Sequence, residues 1–285
     1  MVGPPLQALP GTGRPALRIS FIHQGTAAMA SWRYRAAIPA RELGASLNDF
    51  TAEVLVVSKP NQAIVAEAGL ARARGAAIVA DFCDDHFGKF PWYEDMARLA
   101  HQVTAPTAEL ARRIGATVIA DPCEFAEAAP HCNGRRVLWF GHAVNYAGLE
   151  RVLPSLDAEV RAEVRIVSNV PGAIPWSIGT MYAEFARADI VILPAGAAWK
   201  SANRAVEAIR QGCFVVAEPH PALDTLPVWR GDIRAGIDWA AAHPCEANAL
   251  TARLQAQVRN QYAPEVVARE WIKVCERASQ HAGQS

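Results

Sequence analysis

Short apolar runs alternate with helical patterns along most of this 285-residue chain. Runs such as "AEVLVVS" and "ADIVILP" are apolar at nearly every position rather than at every second one, which is typical of parallel strands buried on both faces. Strands that alternate with helices indicate βαβ units, so the sequence predicts an α/β fold with parallel sheets. The strand candidates are residues 16–22, 52–58, 76–82, 101–105, 116–121, 136–141, 163–169, 188–194 and 213–219. The clearest helical stretches are residues 63–74, 93–100 and 107–114.

The alternation breaks once, in the polar stretch "EFAEAAPHCNGRR", which contains a proline and an Asn-Gly turn signal. We therefore predict a linker near residues 124–135 and a doubly wound, Rossmann-like domain on each side of it. A length of 285 residues is typical of two domains. The predicted divisions are a flexible tail at 1–16, a first domain at 17–130, a second domain at 131–262 and a C-terminal helix at 263–285.

Composition narrows the functional classes. Lys plus Arg and Asp plus Glu each number 28, for a net charge of zero, which argues against a nucleic-acid-binding protein. No segment approaches the roughly 20 apolar residues of a membrane span, and the start lacks the apolar block of a signal peptide. Peripheral contact with a membrane remains possible.

The six cysteines form no C-x-x-C or zinc-like pattern. We therefore expect a reducing, cytoplasmic compartment.

Two tandem domains of this kind would leave a cleft between the carboxyl ends of their sheets, where open α/β sheets bind ligands. The stretch "VADFCDDHF" (79–87) ends one predicted strand, so Asp84, Asp85 and His86 fall on the loop at that end. Asp81 lies on the strand itself and is expected to be structural. The loop residues could contact substrate, cap the loop or bind a metal. Consecutive side chains diverge in an extended loop, whereas a metal site needs them to converge, so no metal is expected.

The stretch "PAGAAWKSANRAVEAIRQGCFVVAEP" (194–219) contains a helix between two strands. We predict that Ser201 is its N-cap, that it extends to about Gln211 and that Gly212 takes the C′ position. Residues on one side of this helix are apolar and should pack on the sheet.

The start of the same helix is suited to an anionic ligand. Free N–H groups and positive potential gather at a helix N-terminus, and Lys200 adds a full charge just before it. Asn203 and Glu207 are four residues apart and share a face. The alternative interpretation is a capped surface helix with a solvated polar face.

Two other loops follow predicted strands. Gly141 gives a tight exit from the strand at 136–141, and His142 and Asn145 could face the cleft. No G-x-G-x-x-G pattern is present, so a nicotinamide-binding fingerprint is absent; a plain connecting loop is the alternative. Arg33 and Arg35 lie on the loop or first helical turn after the first strand, where they could bind a phosphate or an acidic acceptor.

Taken together, these stretches resemble GT-B glycosyltransferases, and among them the large family four of retaining sugar transferases. The resemblance rests on "SWRYRAAIPARELG", "VVSK", "VADFCDDHF", "AHQVTAPTAELARRIG", "VIADPCEF", "LWFGHAVN", "ADIVILP" and "KSANRAVEAIRQGCFVVAEP", in family order across roughly residues 17–225. It implies two Rossmann-like domains that face a cleft. The first would bind the acceptor and the second a nucleotide-sugar, and a C-terminal helix, here residues 264–279, would cross back to the first domain.

The resemblance also implies residue roles. Glu207 matches the second acid of the family's E-x7-E motif, which typically binds the nucleotide ribose. Lys200, Ser201 and Asn203 fall in the segment that meets the diphosphate and the donor sugar. The chain departs from the family at Trp199, which stands where the first acid would be.

A second departure concerns the phosphate-binding Arg and Lys of the family, whose positions correspond to His142 and about Asn145. Donor binding is therefore expected to be atypical.

The expected function is transfer of a sugar from a nucleoside diphosphate sugar to a glycan or lipid-linked acceptor, with retention of configuration. Glu207 and Lys200 are the expected catalytic residues, with Lys200 and the helix terminus stabilising the departing diphosphate without a metal. No cofactor is expected, because the nucleotide-sugar is itself the substrate. Two alternatives remain: a catalytically silent GT-B module that binds a nucleotide-sugar or a partner, and a GT-B nucleotide-sugar epimerase.

Overall fold

A computed structural model of the protein describes residues 17–284. The tail predicted at residues 1–16 lies outside the described residues. The chain divides into two compact units, one that ends at Pro122 and resumes at Ala263, and one from Cys123 to Tyr262. The division therefore falls between Pro122 and Cys123, rather than between residues 130 and 131 as the sequence indicated.

The first unit contains a six-stranded parallel sheet in the order β2-β1-β3-β4-β5-β6. Its strands are β1 Ile19–His23, β2 Ser46–Leu47, β3 Val54–Ser58, β4 Ala77–Asp81, β5 Gln102–Ala105 and β6 Thr117–Val118. Its first helices are α1 Ala30–Trp32, a π-helical turn at Arg33–Ala37, α2 Ile38–Leu43, α3 Gln62–Ala73, α4 Pro91–Leu99 and α5 Ala108–Ile114. Every strand predicted in this region is confirmed. The two-residue edge strand β2 was missed because it lies in no apolar run, whereas the equally short β6 lies within the run at residues 116–121.

The second unit contains a five-stranded parallel sheet in the order β11-β10-β9-β7-β8. Its strands are β7 Val137–Phe140, β8 Arg165–Val167, β9 Ile190–Leu193, β10 Phe214–Ala217 and β11 Trp229–Arg230. Its α-helices are α6 Tyr146–Val152, α7 Ala158–Glu163, α8 Ile178–Arg187, α9 Asn203–Arg210, α10 Ile233–Ala242 and α11 Pro244–Tyr262. Short 3₁₀ turns occupy Ala143–Asn145, Leu153–Ser155 and Pro221–Leu223.

Both sheets are buried on their two faces, which explains the continuous apolar runs. In the second unit Leu138 of β7 belongs to the core cluster on one face, whereas its neighbours Val137 and Trp139 belong to the cluster on the other. In the first unit Phe21 and Ile22 are divided between opposite faces in the same way. Covered faces of this kind are the reason that a parallel sheet shows no apolar–polar alternation.

The last helix, α12 (Pro264–Ala282), packs on the sheet of the first unit. Its Trp271 is fully buried and meets the ring of Phe21 edge-on, with ring centroids 5.5 Å apart. Val267, Val274 and Cys275 of the same helix join this cluster. The chain thus returns to the first unit at its end. Among residues 17–284, no helix has both the length and the apolarity needed to cross a bilayer.

Arg35 was predicted to bind substrate, and the structure shows that prediction to be wrong. Arg35 lies in the π-helical turn and is fully buried. Its Nε and Nη2 donate to the two carboxylate oxygens of Asp81, over 3.0 and 2.6 Å. Its Nη1 donates to the carbonyl of Ile119 at 2.6 Å and to Asp121 at 3.2 Å. The guanidinium also lies over the ring of Trp271, 5.1 Å from its centroid.

Asp81 is the acceptor that joins three elements of the first unit. Besides Arg35, it accepts hydrogen bonds from the hydroxyls of Ser58 at 2.7 Å and Thr104 at 2.8 Å. These donors come from the carboxyl ends of β3 and β5, which flank β4. A buried charge is tolerated when it is paired and hydrogen-bonded in this way. The expectation that Asp81 is structural is confirmed.

We predict that Asp81→Asn destabilises the protein by about 3–5 kcal/mol, because it leaves the Arg35 charge buried with only part of its compensation. Asp95→Asn is the matched control: it removes an exposed carboxylate of α4 from a pair with the exposed Arg98, and should cost at most about 1 kcal/mol. Urea unfolding of both variants gives the comparison. Equal stability of the two variants would contradict the structural role of Asp81.

Candidate functional site

The carboxyl edge of the first unit's sheet contains a histidine that the sequence analysis missed. His23 ends β1 and is buried. Its Nδ1 accepts a hydrogen bond from the amide of Gly25 at 2.8 Å, and its Nε2 lies 3.2 Å from the hydroxyl of Ser31. Burial lowers the pKa of His23 to about 4, so the imidazole is neutral at physiological pH. Its position at the end of a strand was the available signal.

Two residues near His23 have left-handed backbone conformations although neither is glycine. Asn48 has φ 55° and Lys59 has φ 51°. The side-chain oxygen of Asn48 accepts from the amide of His23 at 2.9 Å, and Lys59 forms an ion pair with Asp84. Such conformations cost free energy and occur often at functional sites. The strain lies at the strand ends, where ligands of parallel sheets bind.

The predicted loop residues take separate partners. Asp85 pairs with Arg113 at 2.6 Å, whereas the ring of His86 lies edge-on to Phe90 and Tyr93, with centroids 5.3 and 5.2 Å away. Within the described part of the chain, no three His, Cys, Asp or Glu residues form a group that could hold a metal ion. The loop is thus tied to its own unit by two ion pairs, Lys59–Asp84 and Arg113–Asp85, and by aromatic packing.

Arg33, the other arginine predicted to bind substrate, is also largely buried. Its Nη1 donates to the carbonyl of Ala27 at 2.8 Å. That contact ties the loop after β1 to the start of the helical segment.

The loop after β7 contains the predicted Gly141, His142 and Asn145. A side chain at Gly141 would place its Cβ 3.1 Å from the ring of Trp139, so the ring would have to shift by a few tenths of an ångström to admit it. His142 is exposed, and its Nε2 lies 3.3 Å from the side-chain nitrogen Nδ2 of Asn169. Asn145 ends the 3₁₀ turn that leads into α6.

The loop between β9 and α9 is held by fixed contacts. Glu218 accepts a hydrogen bond from the amide of Ala195 at 2.6 Å and is also paired with Arg151. Hydrogen bonding to Arg151 is the main cause that lowers the pKa of Glu218, so it is ionised at neutral pH. His220 Nε2 lies 3.0 Å from the carbonyl of Ala197. These contacts fix the segment that precedes Lys200.

The start of α9 differs from the prediction. Its N-cap is Ala202, not Ser201, and Asn203 is its first residue. The first helical hydrogen bond runs from the amide of Val206 to the carbonyl of Ala202 at 3.0 Å, so the Ser201 hydroxyl lies outside the cap position. Lys200, Ser201 and Asn203 are all partly buried. With no side-chain cap, the first N–H groups of α9 are the ones that a ligand could occupy.

The middle of α9 is buried on all sides, so the interpretation as a solvated surface helix is wrong. Glu207 is 1% exposed. Its carboxylate oxygens accept hydrogen bonds from the backbone amides of Glu124 at 2.6 Å and Phe125 at 3.2 Å. Arg210 adds a bond to the carbonyl of Phe125 at 3.1 Å. The helix therefore anchors the segment that the sequence indicated as a free linker.

Arg204 is a second residue that the sequence analysis missed. It lies in the first turn of α9, and its Nη1 donates to the carbonyl of Phe140, the last residue of β7, at 3.3 Å. Burial alone lowers the pKa of Arg204 to about 10, so it keeps its charge at neutral pH. The signal in the sequence was a basic residue within one turn of a predicted anion-binding helix terminus.

These residues meet at the point where strand order reverses in the second unit. β7 has β8 on one side and β9 on the other, so the loops that follow β7 and β9 diverge at their carboxyl ends. Ligands of doubly wound sheets bind in the crevice at such a point. The hydrogen bond from Arg204 to the carbonyl of Phe140 joins the start of α9 to the end of β7 at this crevice. The structure thus brings Gly141 and the start of α9 together at one edge.

We predict that Glu207→Gln destabilises the protein by roughly 1–3 kcal/mol, because an amide NH₂ would face a backbone N–H donor and leave it unsatisfied. Glu150→Gln, at an exposed position of α6, is the charge-matched control and should change stability by less than about 0.5 kcal/mol. Denaturant unfolding separates the two. A Glu207→Gln variant as stable as its control would mean that the carboxylate does not anchor residues 124 and 125.

No protein-family model matches this sequence, and no curated protein matches it. Solved structures do resemble it. Anabaena HepE in complex with UDP and glucose gives a TM-score of 0.65 at 12% identity, over 90% of this chain and 99% of that one. The catalytic domain of starch synthase IV from Arabidopsis thaliana gives 0.53 at 12% identity, over 88% and 77%. An O-GlcNAc transferase mutant from Thermobaculum terrenum gives 0.56 at 11% identity, over 94% and 68%. These neighbours are GT-B glycosyltransferases, and the likeness shows that this chain has the GT-B fold.

Proposed function

We propose that this protein is a glycosyltransferase that moves a sugar from a nucleoside diphosphate sugar to a glycan or lipid-linked acceptor. The observation that carries the proposal is the reversal point of the second sheet, where the uncapped N-terminus of α9 meets the end of β7. A helix terminus of this kind favours a phosphate group. Anabaena HepE, which shares the fold, has been crystallised with UDP-glucose, so a uridine nucleotide is the first donor to test.

The groups at the carboxyl edge of the second unit's sheet have separate proposed roles in the reaction. Cleavage of the glycosidic bond leaves negative charge on the departing nucleoside diphosphate. Lys200 and the first N–H groups of α9 would stabilise that charge electrostatically, as cations and helix N-termini do for developing negative charge in general. Ser201 and Asn203 would bind the donor from the same segment. Transfer with retention of configuration is part of the proposal.

The acceptor is proposed to bind at the carboxyl edge of the first unit's sheet. His23 is neutral there, and Asp84, His86 and Lys59 gather on the neighbouring loops. Hydroxyl-rich acceptors are recognised by neutral and charged hydrogen-bonding groups of these types.

Two observations favour the silent-module alternative. Trp199 occupies the position of the first acid, and both oxygens of Glu207 accept backbone hydrogen bonds. A carboxylate held in this way would have to exchange its partners before it could bind a ribose. A protein that binds nucleotide-sugar without turning it over would fit both observations.

The experiment is a thermal-shift screen with UDP, ADP and GDP, followed by incubation with UDP-glucose and analysis of the products. We predict that UDP raises the melting temperature by mass action, and that UDP-glucose is hydrolysed slowly to UDP and glucose without an acceptor. With a simple alcohol added as acceptor, NMR of the glycoside product reports the anomeric configuration, which released glucose would lose by mutarotation. A chelator in a parallel sample should leave the rate unchanged.

The other outcomes discriminate between the alternatives. Binding without turnover would favour the silent module, and an epimerised donor would favour the epimerase. If none of the three nucleoside diphosphates raises the melting temperature, the proposed function is contradicted.

A further inference from the structure

We propose that Arg204 binds the diphosphate of the donor. It supplies the positive charge that Lys or Arg on the loop after β7 would otherwise supply. This inference rests on the proposed function and assigns a binding residue that neither the sequence motif nor the fold identified.

Arg204 is a partly buried cation that has no carboxylate partner among residues 17–284. Its contact with a protein acceptor is a single hydrogen bond, to the carbonyl of Phe140 at 3.3 Å. Arg35, which is fully buried, is by contrast held by two carboxylates and a carbonyl. A guanidinium has five N–H donors in a planar fork, so most of those of Arg204 are left for another acceptor. Burying a cation without a carboxylate is costly unless an anion binds there.

The position of Arg204 indicates which anion would bind. Its guanidinium lies at the reversal point of the second sheet, next to the N-terminus of α9, and both features favour a phosphate. Gly141 adjoins the guanidinium, because a Cβ built there would lie 3.4 Å from its Nη1, at ordinary contact distance. The fork of an arginine matches the oxygens of a phosphate in a bidentate geometry.

Arg204 also adds positive charge beside the loop that follows β7. That loop, residues 141–145, contains no Lys or Arg. Arg204 reaches the end of the same strand from the opposite side, through α9. The positive charge is thus supplied at the same edge by a different element of the fold.

The test compares Arg204→Met with Arg253→Met, which removes an exposed arginine from α11 of the same unit. Calorimetry with UDP, ADP and GDP first identifies the nucleotide that wild type binds. We expect Arg204→Met to weaken that diphosphate at least tenfold while leaving the affinity for the corresponding nucleoside unchanged. Arg253→Met should bind both as wild type does. Arg204→Lys should fall between wild type and Arg204→Met, because it keeps the charge but loses the fork.

Stability gives the second readout. Without ligand, the melting temperature of Arg204→Met should be at or above that of wild type, since the substitution removes a desolvated charge with no carboxylate partner. A clear decrease would mean that Arg204 is structural and would overturn the inference. Equal weakening of nucleoside and diphosphate, or unchanged diphosphate affinity, would also overturn it while leaving the proposed function intact. Failure of wild type to bind any of the three nucleotides would overturn the proposed function and this inference with it.

Discussion

The constraint on which the rest of this structure depends is the parallel arrangement of both sheets. Parallel strands require helices on both faces and direct all carboxyl ends to one edge. In the second unit, the reversal of strand order beside β7 separates the loops that follow β7 and β9. The N-terminus of α9 therefore lies beside the end of β7, and Arg204 reaches the carbonyl of Phe140. The candidate phosphate site is a direct consequence of strand order.

Polar groups in the two units follow a common pattern. Those that lie within the layers hold the fold: Asp81 accepts from Arg35 and from both neighbouring strands, and Glu207 holds the segment at residues 124 and 125. Groups only a few residues away lie at the strand ends, where a ligand could reach them. Asp84 follows Asp81 by three residues, and Arg204 precedes Glu207 by one helical turn. Adjacent charged residues thus have opposite roles because of their depth.

The elements of the fold could be predicted from the sequence because burial on both faces leaves long apolar runs. The edge strands β2 and β11 could not, since they lie in no long apolar run, whereas the equally short β6 lies within the run at residues 116–121. The burial of individual charged residues could not be predicted from the sequence either. A pattern places Glu207 on a helix and Arg35 on a loop or first helical turn. Whether each faces solvent depends on partners up to 86 residues away along the chain, such as Asp121 for Arg35. Arg204 was overlooked for the same reason, because its contact with Phe140 is a tertiary one.

The structure leads us to conclude that a nucleoside diphosphate binds at the carboxyl edge of the second sheet. Hydrogen–deuterium exchange of the backbone amides, measured with and without saturating UDP, tests this conclusion most directly. The account predicts slower exchange at residues 141–145 and 200–206, because bound phosphate would occupy the first N–H groups of α9 and order the adjacent loop. Exchange at residues 233–242, in α10, should not change. Protection confined to segments outside 141–145 and 200–206, or no protection by a nucleotide that binds, would contradict the account.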